Sequence, residues 1–194
     1  MIEIIKANSD ESVAKAKNLF QEYAESLDFN LCFQNFNEEL DGFPGQYSPP
    51  MGCLFLAISE NQPIGCVGLR YFEKGICEMK RLYVRPNFRG RKVGRPLAEA
   101  AIKAAKIIRY KFMRLDTLPS MESANILYKS LGFRQIKPYR HNPIKGAIYM
   151  ELNLKDYNKS LKRDRAKPCH FLMTYFFERF LLFSQVLFYR CPAP

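Results

Sequence analysis

Apolar residues recur along positions 1–154 in two rhythms, one of period two and one of three to four. Ile2 to Lys6 alternates and predicts an opening strand. Ser9 to Ser26 repeats Val13, Ala16, Leu19, Phe20 and Tyr23 at helical spacing, with Ser9 or Asp10 placed to cap it. Leu31 to Leu40 predicts a second helical segment rich in aromatics, and the glycines and prolines between Asp41 and Met51 predict a long loop without regular structure. Gly52 to Ser59 and Pro63 to Phe72 are β-favouring runs parted by Glu60, Asn61 and Gln62, which predicts a hairpin; Ile76 to Val84 follows as the next strand. Leu97 to Ile108 has the spacing of a helix with one buried face, and Phe112 to Thr117 returns as a strand, which makes a βαβ unit. Met121 to Leu131 predicts a helix stopped at Gly132, and Phe133 to Lys137 with Ile148 to Leu154 completes the sheet. The fold class expected is α+β (mixed α/β): a central mixed sheet, antiparallel first and parallel around one loop, flanked by helices.

That pattern stops at Leu154, which divides the chain into a domain over 1–154 and a tail over 155–194 of unassigned role. The net charge is +11, and the tail carries eight Lys/Arg against three Asp/Glu, so the remainder is also basic and suits a polyanionic ligand. The tail opens as a basic linker and continues as an aromatic run from Cys169 to Cys191, about long enough for a membrane helix. Glu178 and Arg179 sit near its middle, and a central arginine costs ~2.5 to 3.5 kcal/mol on insertion scales, so spanning is disfavoured. Contact with a membrane surface, docking on a second subunit as in a homodimer, and an extension without function stay open.

The six cysteines are far apart, form no C-x-x-C pair and have two histidines for company, so no metal site is expected. Cys53, Cys66 and Cys77 lie in apolar runs and read as small core residues. The first nine residues lack the basic and then apolar build of a secretory signal, which predicts a cytoplasmic protein.

Candidate chemistry concentrates after the Ile76–Val84 strand. Arg89, Gly90, Arg91, Lys92, Val93 and Gly94 form a basic turn with small residues where backbone N–H groups must approach an anion, and a helix follows at once. Strand, turn and helix N-terminus together make a pyrophosphate-binding arrangement, with Arg95 adding positive charge.

The turn resembles the R/Q-x-x-G-x-G/A motif of the GNAT superfamily of N-acetyltransferases. The run L-D-T-L-P-S-M-E-S-A-N-I-L-Y-K-S-L-G-F, which starts at Leu115, is similar to a second motif of that superfamily. The flanking segments are similar to a bacterial, small-molecule branch. Two departures stand out. Lys92 replaces the usual motif glycine and lacks its freedom at positive φ, and Met121 stands where many relatives have asparagine.

The resemblance implies the GNAT fold, acetyl-CoA as co-substrate and an acetyl-CoA-dependent N-acetyltransferase activity. It places the diphosphate on Arg89 to Arg95 and the pantetheine arm along the backbone of Leu82, Tyr83 and Val84. It puts the Tyr128 hydroxyl near the sulfur as general acid. Glu78 is the candidate general base, directly or through water, against a reading as a salt-bridged residue beside Lys80 or Arg81. Strict alternation puts Glu78, Lys80, Leu82 and Val84 on one strand face. Phe33, Tyr47, Tyr139 and Asn142 are candidates for the acceptor side. The expected reaction is direct attack by an amine of a small molecule, with no metal and no acyl-enzyme. A coenzyme-binding sensor, or a basic nucleic-acid-binding module without turnover, is the alternative, although nucleic acid is not the partner expected.

Overall fold

Strand-forming and helix-forming runs alternate in the order β1 (Ile2–Lys6), α1 (Asp10–Glu25), α2 (Phe36–Asp41), β2 (Cys53–Ser59), β3 (Gln62–Glu73), β4 (Ile76–Val84), α3 (Gly94–Ile107), β5 (Phe112–Thr117), α4 (Glu122–Ser130), β6 (Arg134–Ile136) and β7 (Ile148–Asn153). The computed structural model describes residues 1–29, 31 and 35–157, all within the unit Met1–Ser160. Beyond Tyr157 the tail lies outside the described residues, as does Phe33.

The strands form one sheet in the order β1-β2-β3-β4-β5-β7-β6, antiparallel throughout except for the β4–β5 pair. The β2–β3 hairpin turns on two residues rather than the three expected: Glu60 and Asn61 sit at φ 49° and 62°, and Gln62 already belongs to β3. Two left-handed residues give the turn whose twist matches that of the flanking strands.

The two faces of the sheet are read from adjacent residues of β3. Cys66 and Gly68 face α1, whose Ala16, Leu19 and Phe20 are fully buried; Gly65 faces α3 and approaches Leu97. The Tyr47 ring lies so close over Gly68 that a Cβ there would come within 2.6 Å of it, so glycine is required. Phe20 meets the rings of Phe43 and Tyr47 edge-on at 5.2 and 5.3 Å, closing the core on that side. Helix α1 begins with a capping box, in which the Ser12 amide donates to Ser9 Oγ and the Ser9 amide donates to Ser12 Oγ, an arrangement worth ~1 kcal/mol.

Several boundaries differ from those expected. Helix α2 is short, entered through Asn35 at φ 53°, and the Asp41–Met51 segment contains a 3₁₀ turn at Gly45–Tyr47. Helix α3 begins three residues early, because Pro96 falls within its first turn, where a missing N–H costs nothing.

The larger difference is in β4. Arg81 adopts φ 55°, and the β3–β4 register shifts there, with Lys80 opposite Gly68 but Tyr83 opposite Cys66. The bulge resets the alternation. Glu78, Lys80 and Tyr83 share the α1 face, in place of the Glu78, Lys80, Leu82 and Val84 set that strict period two would give. On its other edge β4 pairs with β5 only from Ile76 to Glu78, so the strands part at the centre of the sheet.

Candidate active site

The parting of β4 from β5 opens a cleft with a basic turn at one end and a cavity of about 70 Å³ beside the bulge. The turn starts from a 3₁₀ segment, Pro86–Phe88, and places Gly90 at φ 77° and Lys92 at φ 61°. Lys92 therefore takes the left-handed conformation that glycine would take, although its side chain does not favour it. Left-handed residues alternating with ordinary ones turn successive N–H groups into a concave anion nest. The N-terminus of α3 has no side-chain cap, which leaves its first amides directed at the same place. The donor set fits a diphosphate.

The arginines of the turn are positioned differently from one another. Arg89 Nε donates to the Val84 carbonyl at 3.1 Å, with its guanidinium 6.0 Å from the Tyr83 ring centre, and Arg91 lies 5.1 Å over Phe88. Arg95 reaches sideways, donating to Ser130 Oγ at 2.7 Å and pairing with Glu99, and so ties α3 to the end of α4. The Leu127 side chain lies 3.4 Å from where a Gly94 Cβ would stand, an ordinary van der Waals distance.

Among the described residues, the β5-facing edge of β4 beyond Glu78 has no strand partner. Leu82, Tyr83 and Val84 belong to this stretch, and Leu82 also lines the cavity. Tyr128 of α4 and Asn142 of the loop before β7 line it too, so three of the sequence-derived candidates meet there. Burial pushes the Tyr128 hydroxyl well above its ordinary pKa, with Tyr23 and Asp116 adding to the effect, so it carries its proton throughout the neutral range.

Glu78 lies one layer behind the cavity wall and is fully buried. Arg70 holds its Oε2 through Nη2 at 2.6 Å and Nε at 2.8 Å, while Tyr139 donates to Oε1 at 2.8 Å and Arg140 Nη1 lies 3.2 Å from it. Burial raises its pKa, and the charges of Lys80, Arg70 and Arg140 outweigh that, leaving the carboxyl below its ordinary range. Tyr139 stands in the same layer, its ring edge-on to Phe72 and Tyr149. Tyr47 is directed away from the cleft: its ring fills the α1-side core over Gly68, and its hydroxyl donates to Glu39 Oε1 at 2.7 Å.

The residues that sequence reasoning passed over are the charged ones of the wall. Lys80 Nζ lies 3.3 Å from Asp116 Oδ1, Arg140 Nη2 donates to that same oxygen, and Asn142 Nδ2 donates to Oδ2 at 3.2 Å. Burial raises the Asp116 pKa, but Lys80 and Arg140 prevail and keep it low. For Lys80 burial wins, with Arg81 and Arg140 opposing the pull of Glu78 and Asp116, and its ammonium is drawn down to about 8. Arg81 of the bulge pairs with Glu39 through Nε at 3.2 Å and Nη2 at 2.8 Å, with both side chains 2% exposed and the Phe36 ring 5.0 Å away. The available signal was charge on a buried strand: Lys80, Arg81 and Asp116 interrupt apolar runs, where unpaired charges are not tolerated.

The described cysteines, Cys53, Cys66 and Cys77, are buried, and burial raises each thiol, that of Cys53 to about 11. Among the described residues no three His, Cys, Asp or Glu are grouped to hold a metal ion, and no helix is long and apolar enough to cross a membrane.

A mixed sheet split beside a nest and an uncapped helix is the architecture of the acetyltransferase class of folds. A family model for the acetyltransferase (GNAT) domain matches residues 50–135. An uncharacterised N-acetyltransferase of Schizosaccharomyces pombe is 43% identical over 140 residues, covering 71% of this chain and 86% of the relative. One of Dictyostelium discoideum is 32% identical, covering 80% of this chain and the whole of the relative. The chain belongs to the GNAT family of N-acetyltransferases, and these eukaryotic relatives show that its kin are not confined to bacteria. Human N-acetylaspartate synthetase is 29% identical over 99 residues, half of this chain and 33% of the synthetase. Among solved structures, a GNAT acetyltransferase from Staphylococcus aureus superposes with a TM-score of 0.65 at 23% identity, covering 79% of this chain and 99% of that one. The PaiA N-acetyltransferase of Thermoplasma acidophilum, solved with coenzyme A, gives 0.60 at 18% identity, covering 79% and 99%.

Proposed function

We propose that the protein transfers the acetyl group of acetyl-CoA to the amine of a small molecule by direct attack. The observation that carries this reading is the split between β4 and β5, which puts a diphosphate-fitting nest at one end of a cleft and a cavity of about 70 Å³ at the other. The coenzyme's diphosphate would rest on the turn from Arg89 to Gly94 and the α3 N-terminus, with Arg95 held alongside by Ser130. The amide-rich arm would follow the open edge of β4 at Leu82, Tyr83 and Val84. The relatives named for N-acetylaspartate support a small-molecule amine.

The acceptor nitrogen attacks the thioester carbon, the C–N bond forms, the C–S bond breaks, and the sulfur takes up the electron pair. Tyr128, kept protonated by its burial, gives its proton to that sulfur as negative charge builds there, and the proton that the new amide nitrogen sheds restores the tyrosine. A backbone amide beside the Arg81 bulge would steady the carbonyl oxygen, a contribution of ~2.7 to 4 kcal/mol per donor. Glu78 has both oxygens engaged and a lowered pKa, so its part is to hold Arg70 and Arg140 in place, and the ammonium proton of the acceptor leaves through water. Among the described cysteines, Cys53, Cys66 and Cys77 are buried with raised thiols and are unsuited to act as nucleophiles.

The test is calorimetric titration with acetyl-CoA, followed by release of free coenzyme thiol against a panel of amines. Binding with amine-dependent release is expected; binding without release from any amine would refute transfer, and absence of binding would refute the coenzyme site.

A further inference from the structure

Resting on amine acetylation as the reaction, we propose that Tyr23 is a second proton-carrying phenol of the site, returning to Tyr128 the proton that the acceptor nitrogen sheds. Tyr23 stands on the same stripe of α1 as Ala16, Leu19 and Phe20, one turn further on, and this is the stripe laid against the sheet. The three earlier residues are fully buried, whereas Tyr23 is half-buried and reaches the cavity, whose lining it shares with Tyr128 of α4. Its ring leans on that of Tyr83 at 5.9 Å, with the planes at 58°, which fixes it beside the stretch of β4 that β5 leaves open.

Packing alone would be served by phenylalanine. Other enclosed phenols of the domain are tied down: Tyr47 donates to Glu39, Tyr110 to the Met51 carbonyl, Tyr139 to Glu78 and Tyr149 to the Arg140 carbonyl. Among the described residues no hydrogen bond engages the hydroxyl of Tyr23 or of Tyr128. An enclosed phenol without a partner is an exception that calls for a use, and here two of them line one cavity. The charge of Arg81 acts on the Tyr23 hydroxyl, and that hydroxyl in turn acts on the one of Tyr128, which sets Tyr23 next in line from the bulge. Burial keeps Tyr23 protonated at neutral pH, as it does Tyr128, so each has a proton to give.

The proton then travels a closed path. As the C–S bond breaks, Tyr128 passes its proton to the sulfur and Tyr23 passes its own to Tyr128. Tyr23 takes up in exchange the proton that the acceptor nitrogen loses on becoming an amide. The C–N bond has formed, one proton has moved from nitrogen to sulfur, and both phenols end as they began. Tyr23 acts through Tyr128, so the two must fail as a unit.

The test is a double-mutant cycle on full-length protein, with acetyl-CoA and aspartate, putrescine or phenethylamine, whichever releases thiol fastest. Tyr23→Phe is expected to lower kcat about tenfold or more while the calorimetric Kd for acetyl-CoA stays within about twofold. Adding Tyr23→Phe to Tyr128→Phe is expected to cost nothing further, whereas a packing defect would multiply the two losses. Native kcat in Tyr23→Phe, or multiplied losses in the double variant, would overturn the relay and leave amine acetylation standing. Acetyl-CoA binding with no amine acetylated by the unaltered chain would overturn both. If Tyr23→Phe loses acetyl-CoA binding, single turnovers of the unaltered chain in mixtures of light and heavy water decide the matter: a curved dependence of rate on deuterium content, from several protons in flight, is expected, and a linear one overturns the relay.

Discussion

Replacing Glu39 with glutamine tests whether a buried ion pair holds the β4 bulge in shape. Glu39 accepts two hydrogen bonds from Arg81 and one from Tyr47, and both charged side chains are nearly sealed from water. Glu39→Gln keeps the shape and one acceptor oxygen but removes the counter-charge that Glu39 supplies. Breaking a buried pair from one side costs ~3 to 5 kcal/mol. Arg81 is also held left-handed at φ 55°, a conformation that costs ~1 to 2 kcal/mol, so a weakened pair lets the strand relax and puts the loss near the lower bound. For a chain of 194 residues, ~3 kcal/mol corresponds to a fall in Tm of about 6–12 °C.

The assay is urea unfolding followed by circular dichroism, native against Glu39→Gln, at several pH values. The sign follows from the Glu39 pKa. Burial raises it, but the hydrogen bond and charge of Arg81, with the Tyr47 hydroxyl, bring the folded value below the ordinary 4.5. The stabilisation is therefore complete above about 4.5 and is lost as pH falls through the lower folded value. The difference between the two proteins should be constant from pH 7 to about 5 and shrink in stronger acid. Removing both partners in Glu39→Leu with Arg81→Met should cost less than the single change. A single variant within ~1 kcal/mol of native at pH 7, the level of an ordinary exposed ion pair, would refute the reasoning.

Three further outcomes follow from the site. Tyr128→Phe should lower kcat by roughly 10²-fold while the calorimetric Kd for acetyl-CoA is unchanged; equal turnover would remove the tyrosine from the chemistry. Arg89→Ala, which deletes a guanidinium already positioned by the Val84 carbonyl and the Tyr83 ring, should weaken acetyl-CoA binding by about tenfold, ~1.5 kcal/mol, in calorimetry at low salt. Lys92→Gly should leave stability unchanged or raise it by up to ~1 kcal/mol in urea, because glycine accepts φ 61° without strain; a loss of that size would show that the lysine side chain supports the turn.

Most of the fold was legible because its elements follow local rules. Ser9 caps α1, as its position before an apolar repeat suggested, and β4 and β5 coincide with their apolar runs. The turn from Arg89 to Gly94 was legible for the same reason, since spacing and glycine content are visible in one dimension. The Arg81 bulge was not, because a register shift depends on the facing strand, and without it Leu82 and Val84 take the place of Tyr83 on the α1 face. Tyr47 was read as a loop aromatic, while its actual place depends on Gly68, twenty-one positions along the chain. The ionic wall was hidden because partners such as Lys80 with Asp116, or Arg70 with Glu78, come together only in three dimensions.

The short contact between β4 and β5 also bears on how a new acceptor preference could be engineered. In the proposed reaction strand β4 would serve both halves, its open edge receiving the thioester while Lys80 and Arg81 line the cavity proposed for the acceptor, so changes there are expected to disturb the two together. The irregular segment between β6 and β7 supplies Arg140, Asn142 and Ile144 to the acceptor end and lies apart from the nest. Redirecting the enzyme toward a different amine is best begun in that segment, with the strand left untouched.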